Sequence, residues 1–285
     1  MSNAILAYGN RADGALLSGG SWQPTLPLTN LQNRRLAKTA RSISLDLAAT
    51  QFDADLGQSR LVRVIALVAH NASLGALYRI RFSAVADFAS TAHDTGWQPF
   101  WGVVYPFGSL PWGAPNWWTG QYSAEEVAAS NATEVTILPR SLPGRYLRVE
   151  IDDAANADGY IEIGRLFIAD GWQPVRNIIY GASLQWEPRT TVQEALSGAE
   201  YFDERQPARV AKVQLDAMTE AEAMSRAFEI QRSVGVSGEV LFVWDPDDTT
   251  HALRRQYLAR LRALSAIENP GPDRWRTPFE IKELL

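Results

Sequence analysis

Cysteine is absent from the 285 residues, which excludes disulfides, thiolate metal ligands and cysteine nucleophiles. Lysine is nearly absent: Lys38, Lys212 and Lys282 stand against a basic total of 27, and the formal net charge is −5. That balance argues against a protein whose main work is to hold nucleic acid. The three histidines, His70, His93 and His251, lack the spacing of a zinc-protease helix. No GxSxG elbow, P-loop or GxGxxG occurs, and GVSGE at 235–239 imitates the elbow only in part. Eighteen apolar residues never run together, so no membrane-spanning helix is expected. The opening MSNAILAYGNRADG has neither a basic start nor an apolar run, so a signal peptide is not expected there and folding in the cytoplasm is.

What is present is an ordinary globular composition, 46% hydrophobic and 21% charged, long enough for two domains. The first 170 or so residues read as short strands between Gly, Pro, Asn and Asp turns. ARSISLDL places Ile43, Leu45 and Leu47 on one face, and LVRVIALVAH (61–70) is a nearly continuous apolar run. LYRIRFS alternates Tyr78, Ile80 and Phe82 with Arg79 and Arg81; ATEVTILP, GRYLRVEID and YIEIGRLFI follow. This pattern predicts a β-sandwich or jelly roll. Residues 173–285 read as β-β-β-α-β-β-β, a small β-sandwich with one helix. Thr219 and Glu222 form an expected capping box, Ala221, Met224, Ala227, Phe228 and Gln231 the expected buried side, and Gly235 the stop. The architecture expected is mainly β, with domains at 1–172 and 173–285.

Two acidic clusters invite a metal reading. WDPDDTTH holds Asp245, Asp247, Asp248 and His251; IDDAANADGY holds Asp152, Asp153, Asn156 and Asp158. Turn chemistry accounts for both, with Asp248 or Thr249 as a cap and Gly159 as a turn residue, so no metal and no cofactor is expected. His70 reads as a satisfied histidine at a sheet edge. Arg34, Arg35, Lys38 and Arg41 could meet phosphate or an acidic partner, but read first as a solvated loop.

The segment WQPFWGVVYPFGSLPWGAPNWW (97–118) carries five of the ten tryptophans and four prolines. Trp97, Trp101, Tyr105, Trp112, Trp117 and Trp118 are the candidate partner- or carbohydrate-binding residues. Each ring could bury about 150–250 Å², so exposure of all of them would favour aggregation. Three readings stay open, in this order: a loop folded over its own core, a contact with a neighbouring subunit, and a sugar platform. In an extended segment the adjacent Trp117 and Trp118 point opposite ways.

LDLAA, VIALVAHN, YRIRFSA, PGRYLRVEIDD and IEIGRLFIADGW, in that order, resemble the galactose-binding-like jelly roll of discoidin and coagulation-factor C domains over residues 25–172. SLQWEPRTTVQEALSGAEYFDERQPARVAKVQLDAMTEAEA is similar to tail-tip proteins of siphophages and gene-transfer-agent particles. Distal tail proteins of that class place the ring domain before the sugar-binding-like one; here the order is reversed. The second resemblance implies a non-enzymatic structural virion protein of a phage tail tip or baseplate, a homo-oligomeric ring, a hexamer, between tail tube protein and baseplate hub. Assembly would occur in the host cytoplasm, without nucleic-acid sequence recognition or membrane insertion. The alternative is a carbohydrate-binding module for a bacterial surface glycan, with Asp152 or Asp158 as an added polar contact. A glycoside hydrolase or lyase ranks last, because no carboxylate pair is marked for it.

Overall fold

The computed structural model describes residues 2–285 and divides into two compact units. One holds residues 9–171 and 246–256, the other the residues up to Tyr8, 172–245 and 257–285. A division therefore falls next to residue 172, but β1 (Ile5–Tyr8) belongs with the second half of the chain. It pairs antiparallel with Val240–Val243, and its Leu6 exchanges both backbone hydrogen bonds with Trp172 at 2.8 Å. The segment 246–256 likewise belongs with the first half.

The first unit is a jelly roll. Its elements are β2 (Leu16–Ser18), β3 (Ala40–Arg41), α1 (Leu47–Thr50), β4 (Phe52–His70), β5 (Leu77–Ser83), β6 (Thr91–Asp94), β7 (Gln98–Pro99), α2 (Ala124–Ala128), β8 (Thr133–Asp152) and β9 (Glu162–Ala169). The strands connect in the order β3-β9-β4-β8-β5-β6, with β2 on β4 and β7 on β5. The expected strands ATEVTILP and GRYLRVEID are two parts of β8. Phe52 to Asp55 of β4 face Val149 to Tyr146 of β8, whereas Val64 to Val68 face Ile137 to Thr133. Between them the register shifts twice and Gly57 takes φ +75°. Bent in this way, one strand pair serves both layers. Phe52, Leu147, Ile80 and Phe82 share a core cluster with Ile65, Leu138, Ile163 and Leu166. Gly144 is required here, because a Cβ on it would stand 2.6 Å from the Phe82 ring.

ARSISLDL departs from its expected strand. Ala40–Arg41 pairs with β9 and Ser42 forms a single bridge with Trp22, but Ile43 is exposed and Leu47 opens a helix. The serines explain it. Ser42 Oγ donates to the Ser44 carbonyl at 2.8 Å and accepts from the Ile161 N–H at 2.9 Å, while Ser44 Oγ donates to Asp46 at 2.9 Å. Such local bonds offer the backbone an alternative to a ladder.

The second unit contains β10 (Ser183–Glu187), β11 (Thr191–Glu194), β12 (Glu200–Asp203), β13 (Ala208–Met218), α3 (Glu220–Glu222), a π-helical stretch (Ala223–Phe228), α4 (Glu229–Val234), β14 (Val240–Val243), β15 (Gln256–Ala263), β16 (Glu268–Gly271) and β17 (Arg274–Glu283). The strands join in one order, β1-β14-β15-β17-β13-β10, with β16 on β17; β11 and β12 pair with each other. The helix buries Ala223, Ala227, Ile230 and Val234 against Leu215, Phe242 and Ile281. Spacings of 4, 3 and 4 give the helical stripe. The expected side was rotated from this one, and Met224 and Phe228 are exposed. Thr219 accepts from the Glu222 N–H at 3.2 Å, but Glu222 does not complete a capping box: its Oε1 accepts from Trp172 Nε1 at 3.2 Å and Val175 N at 3.0 Å. Gly235, at φ +56°, ends the helix as expected.

Candidate functional site

The aromatic segment is a loop tied down at its base. Phe100 N donates to Ala76 O at 3.0 Å and Trp101 Nε1 to Ala72 O at 3.0 Å. Gln121 Nε2 donates to Trp101 O at 2.6 Å and Leu74 O at 3.2 Å. The amides of Val104 and Tyr105 both reach Gly120 O at 2.8 Å. Gly120 has φ +62°, and a Cβ there would stand 2.7 Å from Tyr105 O. Tyr105 donates to Glu126 at 2.8 Å, and Glu126 also completes a capping box with Ser123. That S-x-x-E signal was legible in the sequence and had been missed.

The six candidate residues separate. Trp101 is core, 5% exposed, and Tyr105 is half-buried. Trp97 lies at the margin of the loop, partly exposed. Trp112 and Trp118 project, 81% and 79% exposed, with Phe107 at 82%. Trp117 is half-buried beneath them. Its ring lies 4.6 Å from Trp118, 4.8 Å from Trp112 and 5.1 Å from Phe107, centroid to centroid and at steep angles. Trp117 and Trp118 therefore touch instead of pointing apart. The backbone there is a turn, with Trp117 N on Ala114 O at 3.0 Å and Gly120 N on Asn116 O at 2.8 Å. Trp117, Trp118, Phe107 and Tyr105 help to line a shallow cavity of about 200 Å³. The arrangement offers clustered indole surface, ring edge against ring face, with few polar groups, suited to apolar faces.

A second cavity of the same unit, about 360 Å³, is lined by Phe100, Trp101, Tyr122, Glu134 and Asp248 among others. Tyr122 donates to the carbonyls of Thr249 and Thr250 at 3.2 and 3.0 Å, which holds 246–256 on the loop. Glu134 Oε1 accepts from Tyr78 at 2.6 Å, and burial raises this carboxyl to about 7. His70 packs on Phe100 and Trp101, centroids 4.7 and 5.5 Å away. Its Nδ1 accepts from Ala72 N at 3.3 Å, and burial lowers it to about 3. Glu134 was not singled out from the sequence; an alternating Glu in TEVTI gives no sign of which way it faces.

The acidic clusters are turns. Asp248 accepts from His251 N at 3.0 Å and Arg255 Nη1 at 2.7 Å. Asp153 accepts from Ser73 N at 2.9 Å, Ser73 Oγ at 2.5 Å and Asn156 Nδ2 at 2.8 Å. Asp158 accepts from Asn71 at 2.9 Å. Among the described residues no group of three or more acidic or histidine side chains could hold a metal, and no helix is long and apolar enough to cross a membrane. The basic stretch breaks up, because Arg41 pairs with Glu162 at 3.1 Å and covers the Tyr160 ring.

The second unit has its own apolar surface. The β11–β12 hairpin turns through Leu196 and Ser197 with Gly198 at φ +82°. All eight of its strand residues are exposed. Val192 lies opposite Phe202 and Gln193 opposite Tyr201, so both faces carry apolar side chains. Leu184 and Trp186 of β10 are also exposed, as are Tyr180 and the turn residue Leu196. β10 ends the sheet order, whereas the outer edge of β1 is met by Trp172.

No family model matches this chain, and no curated protein matches it. Among solved structures it is similar to a fucose-binding module of Streptococcus pneumoniae, at 9% identity and TM-score 0.36, covering 57% of this chain and 96% of the module. It is similar to the family 32 carbohydrate-binding module of Clostridium perfringens NanJ, solved with galactose, at 10% and 0.36, covering 57% and 98%. It is also similar to the lectin domain of lectinolysin, solved with Lewis B antigen, at 14% and 0.35, covering 56% and 95%. These likenesses assign this chain no ligand and none of its residues a role; the jelly roll stands on its own strand pairings.

Proposed function

We propose that the chain is a non-enzymatic structural protein of a phage-type tail tip. Its second unit builds a homo-oligomeric ring, sixfold as the resemblance implies, between tail tube and baseplate hub, and its jelly roll contacts other baseplate parts or the cell surface. The observation that supports this reading is the β11–β12 hairpin. A lone hairpin is marginal in water, and Val192, Leu196, Tyr201 and Phe202 are all exposed on it. Such a surface is a hazard in a free monomer and an asset in an assembly. Sedimentation across a range of concentrations tests it. Association that Val192→Ser, Tyr201→Ser and Phe202→Ser together abolish is expected; a monomer at every concentration, without affinity for tail tube or hub proteins, would overturn it.

A second reading, recognition of a bacterial surface glycan, rests on Trp112 and Trp118, whose exposed rings stand over Trp117 as a sugar-stacking surface would. A glycan array carrying fucose, galactose and Lewis B probes tests it. Binding lost in Trp112→Ala with Trp118→Ala supports the reading, and a blank array counts against it.

A further inference from the structure

We propose that the cavity bounded by Ile179, Tyr180, Ala182, Lys212 and Pro278 receives the β11–β12 hairpin of a second copy of this chain. The inference deepens the assembly reading above and rests on it. In the hairpin Glu194 lies directly opposite Glu200, and Val192 opposite Phe202. Side chains two apart on a strand share a face, so one face presents a valine and a phenylalanine next to paired glutamates. Like charges placed directly opposite weaken a strand pair. Both glutamates are exposed, and among the described residues neither meets a donor or a cation. Such a face calls for a partner that is apolar at one point and cationic beside it. The cavity has that composition. It holds about 400 Å³, with Ile179, Tyr180, Ala182 and Pro278 among its walls and Lys212 alongside them. Tyr180 is fully exposed, so its wall is open to an incoming ring. Lys212 is more than half exposed, and its carboxylate neighbour at 3.6 Å, Glu280 Oε1, already accepts from Arg262 Nη1 at 2.7 Å. Lys212 faces Glu280 across one strand pair, and Lys282, two residues on, faces Arg260 across the next. The same sheet face therefore stays cationic in a chain of net charge −5. Phe202 in the cavity would be the aromatic anchor, and Glu194 and Glu200 against these cations would fix its register.

Sedimentation of the full chain tests the contact. The parent should associate, and less tightly as salt is raised, because part of the pairing is ionic. Glu194→Lys with Glu200→Lys should weaken self-association by at least about tenfold, and so should Lys212→Glu, since each sets like charges against each other. Mixed in equal amounts, the two variants should associate again: the unaltered hairpin of one meets the unaltered cavity of the other, and the reversed charges match. A parent that is monomeric at every concentration removes the assembly reading and this contact with it. Association that the triple serine variant loses but the charge reversals leave untouched keeps the assembly reading and overturns the contact. Insensitivity to salt, or a mixture that fails to recover, overturns it as well. The salt series on the unaltered chain decides even if a variant fails to fold.

Discussion

Tyr78 donates its hydroxyl to Glu134 Oε1 at 2.6 Å, and Thr136 donates in turn to that hydroxyl at 3.1 Å. The chain of bonds holds a half-buried carboxyl on β8, and it makes stability depend on pH. Burial lifts Glu134 from 4.5 to about 7, so the folded unit keeps a proton that the unfolded chain releases. That contribution is complete below pH 4.5 and lost as pH rises through about 7. Burial lowers His70 from 6.5 to about 3. Its contribution is complete above pH 6.5 and lost as pH falls toward about 3. Between pH 4.5 and 6.5 the two slopes oppose each other, each about 1.4 kcal/mol per pH unit. Glu134→Gln should leave the His70 slope unopposed. Denaturant unfolding of parent and variant across this range should show their stability difference changing by about 1.4 kcal/mol per pH unit; a constant difference would contradict the assignment.

In the second unit Arg209 and Glu283 form an ion pair with both side chains almost fully buried. Arg209 N and Nε each reach Glu283 Oε2 at 2.9 Å, and the guanidinium lies over the Tyr257 ring. Glu283→Ala leaves a buried cation alone and should cost about 3–5 kcal/mol. Arg209→Met with Glu283→Leu should cost far less, because neither charge remains to be desolvated. Thermal unfolding of the three proteins decides it, and equal losses in both variants would refute the account.

The two classes of tryptophan should separate on substitution. Trp101→Ala empties a core site and should cost about 3–5 kcal/mol. Trp112→Ala and Trp118→Ala, mostly exposed, should each stay within about 0.5 kcal/mol of the parent. Iodide quenching offers a second check: the fraction of emission open to quencher should fall in the latter two variants and not in a folded Trp101 variant.

Replacing Val192, Tyr201 and Phe202 by serine removes apolar surface without touching a core. Stability of the monomer should hold within about 1 kcal/mol while self-association is lost. A large fall in melting temperature at low protein concentration would mean that the hairpin supports its own unit and not a neighbour.

The strands were legible wherever one face is buried, as in Tyr78, Ile80 and Phe82 against Arg79 and Arg81, because period two follows directly from backbone geometry. ARSISLDL shows the limit: its alternation was real, but serine side chains bonded to the backbone turned the chain first. The helix shows another, since the expected side included Met224 and Phe228, while small alanines at 223 and 227 do the packing. Glu134 illustrates the same limit at a site, since a strand glutamate carries no local mark of the aromatic loop that covers it.

By itself, then, the sequence determined that this is a mainly β chain with a capped helix in its second half and a tryptophan-rich loop stiffened by proline, because periodicity, caps and turn residues act over a few neighbours. Only the tertiary structure decided that β1 pairs with β14, that Trp101 is core while Trp112 and Trp118 project, and that Glu134 faces a cavity. Those outcomes depend on contacts between residues tens to hundreds of positions apart, and no local pattern encodes which surfaces such contacts will cover.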